Sequence, residues 1–419
     1  MIFNIICFVA FLLLIYSVKK TLQSGVYISI QLILSACFVL FFLVTPIVTS
    51  TPLTDDDDFN LLLLVGLLGI FIASRFVPFN VLNNSKPKYK IKKKWVKIGF
   101  IVYLMYLLIE IYQKISKGSF NFSEIISSNR LEDYSGVSSS SFYYAILFFK
   151  IFYYIYIYGL FIKKKHKLFI LLYLIPILRY FLVAVTRFDI LVLILILIFL
   201  YIEPKLMLRN KLNNHTKIST LKITLIMIPI LLVVSSYMYF SNLIRHGVLL
   251  DGSKESVVLS SIISKNTNDL QYYYFLNDLY KGVNNETLDF EYGVSWVYYP
   301  LITYIPRSIW KSKPPTAFST RYTEKVYWKL GDGPVVTFTI FGEGFIQFGL
   351  LGIFLAPILF AYSRYLSIQY LGQIENSKLV ILLILFSMVT FFRAEQPIVY
   401  VIYDLVSAFF IIKFISKKN

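Results

Sequence analysis

The chain has 419 residues, 57% hydrophobic, 18% aromatic and only 15% charged, with a mean hydropathy of +0.68. No soluble chain of this length hides so much apolar surface in one core, so composition excludes a soluble globular protein and predicts a polytopic membrane protein. The formal charge of +18 would suit a nucleic-acid binder, but its lysines and arginines fall in alternate short segments. That pattern reports orientation in a membrane, and no nucleic-acid contact is expected.

Almost every apolar run reaches the roughly 17 to 25 residues that a spanning helix needs, and none alternates with the period of a barrel strand. The expected fold is all-α, with about eleven transmembrane helices near 2–18, 26–48, 59–79, 98–113, 141–162, 168–185, 187–203, 221–240, 335–362, 378–392 and 396–413. The first run has no basic residue before it, a Lys pair after it and no small-residue cleavage site, so it is expected to stay as a helix. Basic residues cluster at Lys19–Lys20, in KPKYKIKKKWVK (86–97), in KKKHK (163–167), between Lys205 and Lys222, and at Lys413, Lys417 and Lys418. The intervening segments carry TDDDD (54–58), a Ser/Asn/Glu stretch (116–140) and a long polar interruption at 241–334, with ten Lys/Arg against nine Asp/Glu. The alternation predicts an N-terminus outside the cell membrane, a C-terminus in the cytoplasm, and residues 241–334 as one large extracytoplasmic loop on a single integral membrane domain spanning 1–419.

Metal and thiol chemistry are not expected. Cys7 and Cys37 fall inside predicted spans, where a thiol is a small apolar filler. His166, His215 and His246 show no ligand spacing, and four consecutive acids at Asp55–Asp58 do not converge easily on one ion. No cofactor is implied.

The long interruption is the place to look for function, because a chain that otherwise turns in a few residues keeps so much polar material there. TNDLQYYYFLNDLYKG (267–282) reads as an amphipathic helix with Thr267 as cap and Gly282 as stop. VSWVYYPLITYIP (294–306) is aromatic enough for the membrane interface. Arg187, Arg245, Arg307 and Arg393 are all predicted at or just within the outer boundary, where unpaired guanidinium groups cost a few kcal/mol each unless anions meet them. Pyrophosphate on a lipid is such an anion and suits the planar fork of Arg; headgroups or the nearby Asp189 and Glu395 would serve a purely structural role. Lys313, beside two prolines, adds a fifth cation. Glu343, between Gly342 and Gly344, is the first candidate for a general base or a salt bridge, and His246 the second. Trp310 and the aromatics from Trp296 onward offer faces for sugar stacking or for an interfacial belt.

The order of Arg187 in TRFD, Arg245 after a span, Pro306–Arg307 to Trp310 to Lys313–Pro314, then Gly342–Glu343 with Phe348–Gly349 and Gly352, and finally Arg393, resembles the O-antigen or repeat-unit polysaccharide polymerase (Wzy-type) family of bacterial cell membranes. The likeness is architectural over nearly the whole chain, and its motif is concentrated at 304–352. Arg393 departs from it, being followed by Ala-Glu-Gln and not by small residues. The resemblance implies a helical fold of the lipid-phosphosugar glycosyltransferase (GT-C-like) class and polymerisation of undecaprenyl-pyrophosphate-linked oligosaccharide units, as donor and acceptor, at the outer face of the cytoplasmic membrane. It also implies a chain-length regulator protein as partner beside membrane lipids. On that footing Arg187, Arg245, Arg307, Arg393, Lys313 and Trp310 would bind substrate, with Glu343 or His246 as base. A lipid-linked oligosaccharide flippase, a glycan ligase and a metal-dependent glycosyltransferase are the rival readings.

Overall fold

A helix satisfies its own backbone hydrogen bonds, which is why a chain this apolar folds into helices. The computed structural model describes residues 2–24, 29–44, 56–78, 87–116, 141–179, 192–194, 196–197, 200, 272–303, 305, 309–314, 318–327, 338–393 and 405–418, and it is mostly helical. Among the described residues, four helices are long and apolar enough to cross a membrane: α1 (Ile2–Gln23), α3 (Asp57–Phe76), α4 (Lys93–Ser116) and α10 (Thr339–Gly372). The others are α2 (Ile30–Phe38, running into a π-helical turn at Val39–Val44), α5 (Ser141–Ile162), α6 (His166–Arg179), α7 (Tyr272–Asn284), α8 (Val294–Thr303), α9 (Phe318–Val326) and α11 (Lys378–Arg393). The predicted spans near 221–240 and most of 187–203 lie outside the described residues.

The chain forms two compact units. The first contains Met1–Tyr103, Leu131–Gly159 and Leu270–Asn419. Its centre is the pair α3 and α10, which meet over glycine: a Cβ at Gly66 would come within 2.8 Å of the Phe341 ring, and one at Gly69 within 2.4 Å of the Phe354 carbonyl. Small residues let helix backbones approach where apolar burial alone gives no drive for association. α1 and α2 are joined by short polar contacts, Ser17 with Ser35 (3.1 Å) and Thr21 with Ser29 (2.7 Å).

α10 is not one rod. Phe348 (φ −148°, ψ 24°) and Gly349 (φ 60°, ψ −135°) break it, leaving arms at 339–347 and 350–372. In an unbroken helix, residues eight apart are separated by about 12 Å. Here a Cβ on Gly352 would lie 1.8 Å from the Gly344 carbonyl oxygen, so the chain doubles back and the arms touch through bare backbone. Gly349 supplies the left-handed turn that a side chain resists.

The two ends of this unit differ in chemistry. At one end Asp56 caps α3, accepting from the N–H groups of Asp58 and Phe59, so this part of the acidic run terminates a helix. There Phe59 meets Tyr273 and Tyr280 of α7, and Phe3 of α1 meets Tyr273 as well. At the other end β1 (Tyr89–Ile91) pairs antiparallel with β2 (Ser416–Lys418), which follows the apolar helix Leu405–Ile415. Tyr89 also bridges Ile374 beyond the second arm of α10, and Lys90 pairs with Glu375 at 3.0 Å. Gln31 of α2, buried, donates to the Val77 carbonyl after α3.

The second unit contains Leu104–Arg130 and Leu160–Asp269. Within it Arg179 Nε donates to Glu110 Oε2 at 2.6 Å, Tyr106 donates to the same carboxylate, and Tyr173 donates to the Leu193 carbonyl at 2.8 Å. Both partners of the ion pair are mostly buried. The pair joins side chains that would otherwise stand as lone charges on apolar helices.

Gly352→Ala is expected to destabilise the protein by about 3 kcal/mol or more, because a fixed carbonyl, not a movable side chain, occupies the space. Gly159→Ala, whose nearest neighbour would be Asn376 Nδ2 at 3.9 Å, is expected to be neutral or to raise stability slightly. Thermal melting of the two purified variants in detergent, followed by size-exclusion profile, separates them.

Candidate functional site

The first arm of α10 carries a polar stripe on an otherwise apolar helix. Thr339, Glu343 and Gln347 recur every fourth residue, which places them one above another on a single face, and all three are buried. Their neighbours Ile340, Phe341, Phe345 and Ile346 are buried too. Thr339 is held at φ 65°, a conformation that costs a β-branched residue about 1–3 kcal/mol, and its hydroxyl accepts from the Phe341 N–H at 3.3 Å. Glu343 is 2% exposed. A carboxylate so buried is costly unless polar groups or charge meet it, which makes Glu343 a candidate for function as well as for a structural ion pair.

The lower end of the stripe is gripped by the segment between α7 and α9. The Glu291 N–H donates to the Ile346 carbonyl at 2.8 Å, satisfying a backbone group freed by the break. Gln347 Nε2 donates to Glu291 Oε2 at 2.9 Å, and the Ser295 N–H donates to Gln347 Oε1 at 3.2 Å. Arg321 of α9 closes the network: its Nη2 lies 3.2 Å from both Glu291 oxygens and also reaches Ser295 Oγ, while its guanidinium stacks 3.5 Å above the Tyr299 ring. Ser295 donates to Glu291 in turn. Phe348, at the break, packs against Trp296 with ring centres 5.7 Å apart. Five side chains from three elements thus lock the end of one helical arm.

Tyr322 borders this assembly, and Tyr327 lies between α7 and the start of the first arm, its ring against Phe275 and Phe338. Burial, then the nearby Glu291 carboxylate, pushes the Tyr322 phenol up. Tyr327, which donates to Asp278 of α7, is pushed up by burial and then by that carboxylate.

The predicted site residues separate into two groups. Glu343, Lys313 and Trp310 are described. Lys313 is 6% exposed, and its Nζ donates to the Ile305 carbonyl at 2.8 Å, closing the Ile305 to Lys313 turn. Trp310 is half-buried and donates from Nε1 to Ser312 Oγ at 3.1 Å. Arg187, Arg245, His246 and Arg307 lie outside the described residues; Arg393 ends α11, and its side chain is likewise outside them.

Sequence reasoning missed Arg321, Glu291 and Gln347. Gln347 was detectable from its four-residue spacing to Glu343. Arg321 and Glu291 are 30 positions apart and carry no local signature. It missed Arg364 as well, 1% exposed on the second arm with its guanidinium 5.5 Å from the Phe360 ring. Arg364 lies about 21 Å along that arm from Leu350, given a rise of about 1.5 Å per residue, and so belongs to the other end. Among the described residues no cluster of three or more His, Cys, Asp or Glu could hold a metal ion.

Compared with protein-family models, with curated proteins and with solved structures, the chain matches none.

Breaking a buried ion pair by removing one partner costs about 3–5 kcal/mol, because the other charge stays behind. Arg321→Ala is therefore expected to destabilise the protein by about 3 kcal/mol, and Arg321→Lys to restore little, since an ammonium cannot span two carboxylate oxygens, Ser295 and the Tyr299 face. In a thermal-melt cycle with Glu291→Gln, the double variant should be less damaged than the sum of the singles by about 1–3 kcal/mol. The phenol of Tyr327 gives a pH signature. A folded-state pKa raised above the unfolded one contributes stability that is present below about pH 10 and is lost as pH rises toward the folded value. Tyr327→Phe should accordingly melt lower than the parent at neutral pH and lose less on going to alkaline pH.

Proposed function

We propose that this chain is a membrane glycosyltransferase that lengthens a polysaccharide by joining undecaprenyl-pyrophosphate-linked oligosaccharide units at the outer face of a bacterial cytoplasmic membrane. In this reading the chain crosses the bilayer about eleven times, its C-terminus is cytoplasmic, and residues 241–334 are extracytoplasmic. The observation that carries the proposal is the buried stripe containing Glu343, held at the Phe59 end of the first unit by α7, α8 and α9. That end is opposite the lysine-rich sheet, as the charge pattern requires of an extracytoplasmic site. The resemblance to the O-antigen polymerase family, concentrated at 304–352, adds to it.

The donor is a growing glycan on its lipid pyrophosphate. A hydroxyl of the incoming lipid-linked unit attacks the anomeric carbon; the new carbon–oxygen bond forms as the bond to pyrophosphate breaks, and the lipid pyrophosphate leaves with the electron pair. The proton of the attacking hydroxyl passes to Glu343 or, second, His246. Arg187, Arg245, Arg307 and Arg393, with Lys313, stabilise the charge that grows on the leaving group, an interaction stronger in the transition state than in the ground state. Trp310 offers a face to a sugar ring.

A second reading, a flippase for lipid-linked oligosaccharide, draws support from Arg364, a buried cation far along the second arm, because a passage needs cations away from a single face. Proteoliposomes separate the two. With lipid-linked units supplied on the side of residues 241–334, chain growth is expected, and movement of labelled lipid without new linkages would replace the polymerase reading with the transporter. Arg245→Ala, Arg307→Ala and Arg393→Ala are each expected to cut chain growth by about 100-fold or more, and Glu343→Gln likewise, with normal insertion checked by membrane extraction. Normal glycan length in all three arginine variants would end the cationic-site assignment. A deletion strain accumulating single-unit glycan favours polymerase over ligase.

A further inference from the structure

Helix α8 is amphipathic in the inverse sense. Its inward face carries Ser295 and Tyr299, engaged with Glu291, Gln347 and Arg321, together with Ile302. Its outward face carries Val294, Val297, Tyr298 and Leu301, exposed by 42%, 64%, 43% and 65%, at the 3–4 residue spacing of one helical stripe. A helix bathed in water places its hydrogen-bonding side chains outside and its branched apolar ones inside. α8 does the reverse. VSWVYYPLIT contains no charged residue, and its flanks add Tyr292, 74% exposed, and Ile309, 77% exposed.

What covers this stripe is indicated by what it continues. Trp296 packs on Phe348, which is itself 39% exposed, and the second arm of α10 begins there with Leu350 and Leu351 exposed by 47% and 58%. That arm belongs to a helix apolar enough to cross a membrane. The exposed apolar surface of α8 thus runs without a charged break into the flank of a span, and a flank of that kind faces lipid.

We propose that α8 is an interfacial helix whose Val294–Val297–Tyr298–Leu301 face is immersed in one leaflet of the bilayer, in contact with acyl chains just below the headgroups, at the Phe59 end of the first unit. The inference rests on the chain's residence in a membrane and not on the polymerase reading. Its consequence for the site is that the Arg321–Glu291–Gln347 lock is attached to a helix set at lipid depth, which places the first arm of α10 within reach of a substrate that arrives on a lipid.

The test uses full-length protein with Cys7 and Cys37 replaced by Ala and a single cysteine introduced by Leu301→Cys or Val297→Cys. Asn285→Cys, in the exposed turn after α7, serves as the aqueous control. Each is labelled with bimane and reconstituted in mixed phosphatidylethanolamine and phosphatidylglycerol vesicles. Lipids carrying a nitroxide high on the acyl chain should quench the label at 301 and 297 about threefold or more above the control, while iodide should quench the control and spare both stripe positions. Equal iodide quenching at all three positions would place the stripe in water and overturn the proposal. Efficient cross-linking between copies through position 297 or 301, with no nitroxide quenching, would assign the face to a second copy and overturn it equally. The two stripe positions read the same face, so a variant that fails to purify as a single species leaves the other to decide. Glycan lengthening by the unmodified protein is scored separately, so failure of the catalytic reading and failure of the lipid contact are distinguishable.

Discussion

The contact between the Gly344 carbonyl and the Cα of Gly352 is the constraint from which the described site follows. Two helical arms can touch backbone to backbone only where neither carries a side chain, and only if the chain between them turns through a conformation open to glycine. Gly349 provides that turn, and Gly344 and Gly352 provide the seat. Once the helix is broken, carbonyl groups at the end of the first arm lose their partners, and such groups are tolerated in an apolar setting only under protein cover. The Glu291 N–H bonded to the Ile346 carbonyl is part of that cover. The broken helix and the segment that folds over it are therefore one structural unit, each explaining why the other is needed.

Burial energetics point the same way. Taking Glu291 and Arg321 to 14% and 9% side-chain exposure gains little net stability, since desolvation offsets most of their attraction. Such a pair contributes chiefly through what it excludes, because any rearrangement that separates the two leaves an uncompensated charge costing about 3–5 kcal/mol. The network thus fixes one position of Gln347, and through a single helical turn one position of Glu343. A side chain held in this way presents one geometry to whatever lies beside it. The electrostatic strength of a buried setting applies to Glu343 for the same reason that the setting is costly.

Much of the helical plan was legible because apolar run length is a local property. α1, α3, α4, α5 and α11 begin and end within a few residues of the runs at 2–18, 59–79, 98–113, 141–162 and 378–392. The helix expected over 267–282 exists, but it runs from Tyr272 to Asn284, with Gly282 inside it and Leu288 packed where a Cβ would go. Gly282 therefore marks a close approach and not a stop. Gly342–Glu343 and Phe348–Gly349 stood out in the sequence, yet they read there as the opening of one span, because a hydropathy window passes over a break at Phe348–Gly349 without a change in mean. Arg321 and Glu110 were invisible for a different reason. Their partners stand 30 and 69 positions away, and a pairing of that range is decided by which helices pack together.

The lysine-rich end shows how charge and topology constrain each other. KPKYKIKKKWVK and the C-terminal lysines were placed on one side of the membrane by charge alone, and in the structure their strands pair, with Lys90 opposite Lys417. Like charges placed opposite in a sheet repel, and the exposed pair of Lys90 with Glu375 contributes at most about 1 kcal/mol against that. Repulsion does not decide the arrangement, because the backbone hydrogen bonds of two strands and the bridge to Ile374 tie the segments that follow α10 and the last apolar helix to the entry of α4. Fixing those three segments at one end leaves the opposite end for the break in α10, the cap of α3 and the helices α7 to α9. An end crowded with lysine would bind anions without discrimination. At the opposite end Arg321 is held by a carboxylate and Lys313 by a backbone carbonyl, which fixes where each of these two charges stands and so what an anion there would have to match.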